Sequence, residues 1–290
     1  MILRELVRDV ERRLREARLH YGHGTSNPHD EAAFLVLRGL GLPFDAPADR
    51  PVGAREQARV ARLAQRRIRE RIPLPYLLHE AWLADEPFYV DRRVIIPRSH
   101  IAELLRDGLR PWLQRPVRRV LDLCTGSGCL AILAAKAFPR AHVDASDHSA
   151  AALAVARRNV TRHRMRGRVR LLRSDLMRGL GDRRYDLILS NPPYVNAPAM
   201  RALPREYRRE PRKALAGGAD GLDLVRTILE QAPAHLHAHG LLVCEIGANR
   251  RVLQRAYARL SFAWPQTAAG SGQVFVLARE ELPRTQKKVG

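Results

Sequence analysis

The spacing of apolar residues changes character twice along the chain. Leu3, Val7, Val10, Leu14 and Ala17 recur at alternating four- and three-residue intervals, which puts them on one face of a helix. A second helix is predicted near 28–40, opened by Asn27-Pro28 and stopped by Gly39-Leu40-Gly41. A third covers 53–71, and Pro73 and Pro75 close a small helical domain over 1–75. From Tyr76 to Ile96 the rhythm is strand-like, through Trp82, Phe88, Val90, Val94, Ile95 and Ile96, with charged turns around Asp85 and Asp91. A linking β-hairpin over 76–98 is the natural reading, with a helix over 99–110 after it.

Beyond that point strands and helices alternate. Strands are predicted at 117–123, 141–146, 168–173, 185–190, 240–246 and 273–278, and helices at 129–137, 149–163, 222–235 and 248–259. This alternation predicts an α/β domain over 99–283, a parallel, doubly wound sheet with helices on both faces. Residues 284–290 remain as a basic tail. Ligands of such sheets bind beyond the carboxyl ends of the strands, so those ends carry the candidate chemistry.

Composition changes this picture little. A length of 290 residues accommodates one full α/β domain and a smaller partner. No apolar run approaches the roughly 20 residues needed to span a bilayer, so no membrane association is expected. The first twenty residues mix acids and bases through an amphipathic pattern, unlike a signal peptide, and a cytoplasmic location is expected by default. Cys124, Cys129 and Cys244 suit neither a disulfide framework nor a metal pairing and read as small apolar side chains. His235-x-His237-x-His239 stands at a predicted helix end beside Gly240, and no metal is expected there. The net charge of +21 suggests an anionic partner, nucleic acid first. Yet only four of the 51 basic residues are lysine, and a codon preference for arginine accounts for the charge equally well.

The predicted strand 117–123 runs into Asp122-Leu123-Cys124-Thr125-Gly126-Ser127-Gly128 and then a helix. Glycines at a strand-to-helix turn let the backbone approach a ligand closely. Read as Gly126-x-Gly128-x-x-Ala131 the loop also fits a dinucleotide fingerprint, with Asp144 or Asp147 as the acid that binds ribose hydroxyls. Asp147 is the better placed, at the exit of its strand. An acid at Asp122 suits the ammonium group of a methionine moiety and would repel a pyrophosphate, so charge favours S-adenosyl-L-methionine. Asp175 is a candidate acceptor for the adenine amino group; a helix cap within Ser174-Asp175-Leu176 is the equal alternative.

Asn191-Pro192-Pro193-Tyr194 falls at the carboxyl end of the fourth strand, over the same crevice. Two prolines remove backbone donors and stiffen φ, holding the Pro192 carbonyl and the Asn191 side chain as fixed acceptors, while Tyr194 can stack on a planar group. This suits a planar NH2 nucleophile. Its hydrogens would be taken by the Asn191 side-chain oxygen and the Pro192 carbonyl, which requires one particular orientation of the Asn191 amide. The motif alone does not distinguish an adenine amino group from a glutamine amide.

Longer matches bear on that choice. Over about 70–280 the chain resembles the HemK/PrmB family of protein N5-glutamine methyltransferases. The resemblance implies a class I (Rossmann-like) methyltransferase sheet with an antiparallel last strand, a linking hairpin and an N-terminal helical domain for substrate recognition. It implies cofactor contacts from Asp122 to Gly128 and at Asp147, Asp175, Leu176 and Asn191. Asn191 to Tyr194 would form the glutamine clamp, with Phe88 walling the pocket. Ile96-Pro97-Arg98-Ser99-His100-Ile101-Ala102-Glu103-Leu104, Leu203 to Pro211 and Ala214 to Asp223 are similar to the branch that modifies ribosomal protein L-three of the large subunit. Release-factor glutamine, adenine-N6 methylation of nucleic acid and a non-catalytic RNA-binding role are the alternatives. Two positions depart from the pattern: Cys124 replaces a glycine of the cofactor loop, and His100 stands where the branch has proline.

Overall fold

The computed structural model describes residues 1–268 and 270–282; the basic tail read at 284–290 lies outside the described residues. Helices α1 (Leu3–Glu16), α2 (Pro28–Gly39) and α3 (Ala54–Glu70) come first. Leu3, Leu6, Val10 and Leu14 supply the buried face of α1, and Leu35, Val36, Val60 and Ala64 meet them. Asn27 caps α2 by accepting the Asp30 N–H at 2.9 Å, as Ser, Asn and Asp do at this position. Inside this apolar cluster Arg67 is fully buried and donates to Glu31 at 2.6 Å.

The linking segment departs from the sequence reading. Tyr76 lies in a short helix, α4 (Leu74–Leu78), and only Ala81–Leu83 (β1) and Glu86–Phe88 (β2) pair as a hairpin. The tight turn between them places Ala84 and Asp85 at positive φ. Val90, Val94 and Ile96 form no strand. They are buried for a different reason: they pack on Ala152 and Val155, and the Tyr76 hydroxyl donates to the Val94 carbonyl. Apolar residues bounded by charged turns look like strands, but periodicity does not separate a strand from an extended segment laid across a helix.

Helix α5 (Ile101–Arg106) leads to the central sheet, whose strands are β3 (Arg119–Leu123), β4 (His142–Asp147), β5 (Val169–Arg173), β6 (Tyr185–Ser190), β7 (Leu236–Glu245) and β10 (Val274–Ala278). Their order is β10-β7-β6-β3-β4-β5, parallel except for β10 against β7. Between them run α6 (Cys129–Ala137), α7 (Ala150–Arg162), α8 (Ala197–Ala202), α9 (Asp223–His235), α10 (Arg250–Ala256) and the two-residue strands β8 (Gln266–Thr267) and β9 (Gly270–Ser271).

Side chains alternate across the sheet. Val120, Leu187, Leu189 and Val243 face the layer containing α5 and α6, whereas Leu121, Leu123, Ile188 and Leu242 face α9. Strand order reverses at β3, so β3 and β6 flank the switch point where a crevice opens at their carboxyl ends. Among the described residues no helix is long and apolar enough to cross a membrane.

Candidate active site

A cavity of about 430 Å³ occupies that crevice. Cys124 and Gly126 from the loop after β3, Asp147 at the end of β4, and Asp175 and Leu176 after β5 line it, as do Asn191 and Pro193 after β6. Asp147 does two things at once. Its Oδ2 accepts the Gly126 N–H at 3.0 Å and its Oδ1 accepts the Ser149 N–H at 2.8 Å, so the acid that faces the cavity also ties down the glycine turn.

Asp122, Leu123, Thr125, Ser127 and Gly128 stand behind this wall. Asp122 is fully buried and accepts from the Thr125 hydroxyl at 2.5 Å and the Ala131 N–H at 3.0 Å. Its other oxygen is buried without a partner, and burial pushes the carboxyl up to about 7. Asp122 therefore shapes the loop and starts α6, and the expected direct contact with a ligand ammonium is corrected to a position behind the turn. Gly128, at φ +80, takes the left-handed conformation that favours glycine, and a β-carbon there would also crowd that of Ala156 at 3.1 Å. Cys124 has φ +57, the left-handed region that glycine enters freely and other residues enter at a cost of about 1–2 kcal/mol. That accounts for the glycine expected at this position and for the tolerance of its replacement.

Asp175 sits exposed at the rim, paired with Arg178 at 3.1 Å. No helix starts there, so it caps none. Ser174 holds the turn instead, donating to the Leu176 carbonyl at 2.7 Å and accepting the Gly179 N–H at 3.0 Å.

Asn191 lies where this cavity meets a second one of about 230 Å³, also lined by Ile95, Arg98, Pro192, Tyr194 and Tyr207. The Asn191 Nδ2 donates to the Arg98 carbonyl at 3.3 Å. Its Oδ1 is thus turned away from that carbonyl, the orientation required of an acceptor. The following loop is packed from every side. The Tyr194 hydroxyl donates to Glu245 at 3.0 Å, and its backbone carbonyl accepts from the Asn249 amide at 2.8 Å. β-carbons built on Gly217, Gly221 and Gly247 would come within 2.4–2.7 Å of Tyr194 or the Pro193 carbonyl. The Gly217 and Gly221 spacing within 214–223 is therefore what lets that segment lie against the Asn-Pro-Pro-Tyr loop.

Glu245, at the end of β7, is buried and also accepts from the Ser99 hydroxyl at 2.6 Å and the His100 N–H at 3.0 Å. Burial raises its carboxyl above the ordinary range despite these donors. Proline has no N–H, so the departure at His100 adds a hydrogen bond that a proline could not make.

One short segment bolts the helical part to the sheet. Glu210 accepts from His23 at 2.9 Å, from both terminal nitrogens of Arg98 at 2.9 Å, and from the Ile96 N–H at 3.0 Å. Burial opposes its ionisation, but the His23 and Arg98 bonds win and hold the carboxyl below the usual glutamate range. Glu206 accepts from the His20 N–H and from Arg71, each at 3.2 Å.

The sequence reading is corrected at Phe88. This ring is fully buried in the core cluster that also contains Leu130 and Ala131 and lies tilted on His163 at 4.9 Å between centroids, lining neither cavity. Ile95 lines both cavities instead. Sequence reasoning also missed Asn159, whose amide donates to the carbonyls of Tyr89 at 3.0 Å and Ser127 at 2.8 Å, clipping the linking segment to the glycine loop. Glu206, Glu210 and Glu245 were missed too. Each is a lone acid in an arginine-rich chain, and only a pattern of partners distant in sequence reveals it.

A six-stranded sheet of this topology, with a glycine turn after β3 and Asn-Pro-Pro-Tyr after β6, defines a class I methyltransferase. The sequence profile of the methyltransferase small domain matches residues 104–206. The chain is 53% identical to the ribosomal protein uL3 glutamine methyltransferase of Bordetella pertussis, covering 97% of this chain and 96% of that one. It is 50% identical to the enzyme of the same name in Neisseria meningitidis serogroup B, over 97% of this chain and 94% of the other. For that of Bradyrhizobium diazoefficiens the identity is 49%, over 96% and 91%. The protein belongs to this family of glutamine methyltransferases.

Proposed function

We propose that the protein methylates the N5 nitrogen of one glutamine in ribosomal protein uL3, using S-adenosyl-L-methionine, in the cytoplasm. The observation that carries the reading is the Asn191 amide: its Nδ2 donates one hydrogen to the Arg98 carbonyl, which turns Oδ1 the other way in a residue that lines both cavities. The relatives' names supply the substrate protein.

The larger cavity fits the methyl donor. Gly126 leaves an open wall, where a β-carbon would find no heavy atom nearer than the Cys124 carbonyl at 4.0 Å. Asp147 presents a carboxylate beside it, suited to ribose hydroxyls, and Asp175 and Leu176 lie farther along, suited to adenine. Bound S-adenosyl-L-methionine supplies an electrophilic methyl group on positively charged sulfur. The glutamine side chain enters by the smaller cavity. Asn191 Oδ1 and the Pro192 carbonyl accept its two N–H groups, drawing the nitrogen lone pair out of conjugation and aiming it toward the larger cavity. With the donor bound, the nitrogen would take the methyl group as its bond to sulfur breaks, leaving a neutral thioether, and one N–H proton would pass to solvent; acceptors on both hydrogens lower the cost of that loss. Tyr194, fixed by Glu245, walls the amide; Pro193 keeps the turn rigid. Residues 1–75 serve as the recognition domain, 76–98 as the link and 99–283 as the catalytic domain.

The test offers purified uL3, a peptide release factor and ribosomal RNA to the enzyme with labelled methyl donor. Label on one glutamine of uL3 is expected. Transfer to the release factor or to the RNA in preference would overturn the substrate.

A further partner is suggested by a groove of about 580 Å³ at the opposite end of the strands. Arg119, Arg166, Arg168, Arg170 and Arg183 line it against the single acid Asp144, which pairs with Arg170. That charge suits phosphates of ribosomal RNA on an assembly particle. Reversing Arg119, Arg166 and Arg183 to glutamate should weaken RNA binding at least tenfold and reduce the log–log salt slope by about 2–3. Reversing Arg4, Arg55 and Arg69 should do much less, with methylation of free uL3 unchanged in the groove variant. Equal losses from both triples would discard the groove.

A further inference from the structure

We propose that Glu210 is a positioning residue that sets the orientation of the Asn191 amide, acting through Arg98. The inference rests on the reading of Asn191 as the acceptor for the glutamine. An asparagine amide has two faces of opposite function. With Oδ1 toward the substrate it accepts an N–H; turned over, it presents a donor that would oppose the same N–H. Something has to choose. The Arg98 carbonyl makes the choice, because only Nδ2 can donate to it, at 3.3 Å.

A backbone carbonyl is only as well aimed as its segment is fixed. Residues 96–98 belong to no helix or strand. Ile96 packs in the core and Glu245 ties down Ser99 and His100 on the far side of the orienting carbonyl, while one side chain holds the near side. The Glu210 carboxylate takes the Ile96 N–H at 3.0 Å and grips the Arg98 guanidinium with both oxygens at 2.9 Å. Arg98 Nη1 returns to the Ile96 carbonyl at 3.2 Å, closing a ring over residues 96–98, the last of which carries the orienting carbonyl at the ring's edge. Fork-to-carboxylate pairing fixes direction as well as distance.

Two further facts make Glu210 the anchor. Its side chain is completely buried, whereas that of Arg98 is 28% exposed, so the arginine depends on the acid for its place. Its remaining partner, His23, is itself buried and belongs to the segment between α1 and α2. The seating of the N-terminal helices is therefore continuous with the amide that meets the substrate. Ile95, Arg98 and Tyr207, all on or beside this ring, also wall the smaller cavity, and Arg98 stacks over Tyr207 at 5.1 Å. A substrate protein that shifts the helices against the sheet would move the wall and the orienting carbonyl together.

The test is Glu210→Gln, which keeps the volume and removes the charge and the second strong acceptor. In the free enzyme, the Asn191 side-chain NH2 pair in a 15N–1H spectrum, identified by its loss in Asn191→Asp, should show its two protons drawing together as the bond to Arg98 loosens. The kcat should fall about 10- to 100-fold, the size expected of a misplacement near 1 Å. The cofactor dissociation constant should stay within about threefold, and Glu210→Asp should recover part of the rate. Arg98→Lys, which keeps the charge and loses the fork, should reproduce both effects if the glutamine variant fails to fold. An Asn191 NH2 pair unchanged in a folded variant overturns the proposal. A shifted pair with full activity upholds the positioning and refutes the catalytic role of Asn191 on which it rests.

Discussion

Asn191→Ala should lower kcat by about 10³-fold while leaving the cofactor dissociation constant within about threefold. Loss of one preorganised hydrogen-bonding partner to a reacting group ordinarily removes 10²–10³ in rate, and here the same side chain also places the nucleophile. The cofactor should be spared because its cavity retains Gly126, Asp147, Asp175 and Leu176. Single-turnover kinetics with calorimetry of cofactor binding separate the two quantities. A methylation rate equal to that of the unaltered enzyme would falsify the assigned role. Asn191→Asp should be damaging as well, since it sets a carboxylate oxygen against the Arg98 carbonyl that now accepts from Nδ2.

The second large effect is expected at Asp147. Asp147→Ala removes the carboxylate that faces the cavity and, with it, the acceptor for the Gly126 N–H at 3.0 Å. The dissociation constant of S-adenosyl-L-methionine should rise about 10²-fold, or about 2.7 kcal/mol. At saturating cofactor kcat should fall by less than about tenfold, because nothing on the Asn191 side of the junction is touched. Calorimetry that finds the affinity intact would remove Asp147 from the cofactor site.

The two residues differ in how far the sequence revealed them. Asp147 ends a short strand of alternating character and Asn191 follows one with an apolar centre, and both strands are bounded by clear helices or turns, so their position over a crevice follows from the order of elements. The six strands of the central sheet and helices α6, α7, α9 and α10 were legible from that order too, each within a few residues of its observed bounds except β7, which begins at Leu236 and not at 240; the short α8, β8 and β9 were not read at all. Phe88 was misread because a large ring in a hairpin can face either way, and the side it takes is decided by His163 and the α6 packing, seventy-five residues away in the case of His163. Val94 to Ile96 were misread because extended chain laid on a helix has the same local composition as a strand. Glu206 and Glu210 stand inside the 203–211 match, but nothing local marks what they hold, and Glu245 left no local signal at all. Their partners are His20, His23, Ser99 and Arg98, and a pairing across so much sequence is a property of the assembled fold. His100 was noted only as a departure from a family pattern. Its hydrogen bond to Glu245 is made by the backbone, to which a substitution other than proline is silent.

The way the site is assembled has a kinetic consequence. The contacts that define it join residues 98 with 191, 99 with 245, and 98 with 210, separations of 93, 146 and 112 positions. Contacts of such separation close the largest loops and are the slowest class to form. The helices of residues 1–70 and the β3–α6–β4 unit rest on near neighbours and can form early. Catalytic competence, by contrast, requires that the segment at 98–99 has docked on residues 191, 210 and 245. In this enzyme, activity is a late clock of folding, marking the end of the process after most helix and sheet is already in place.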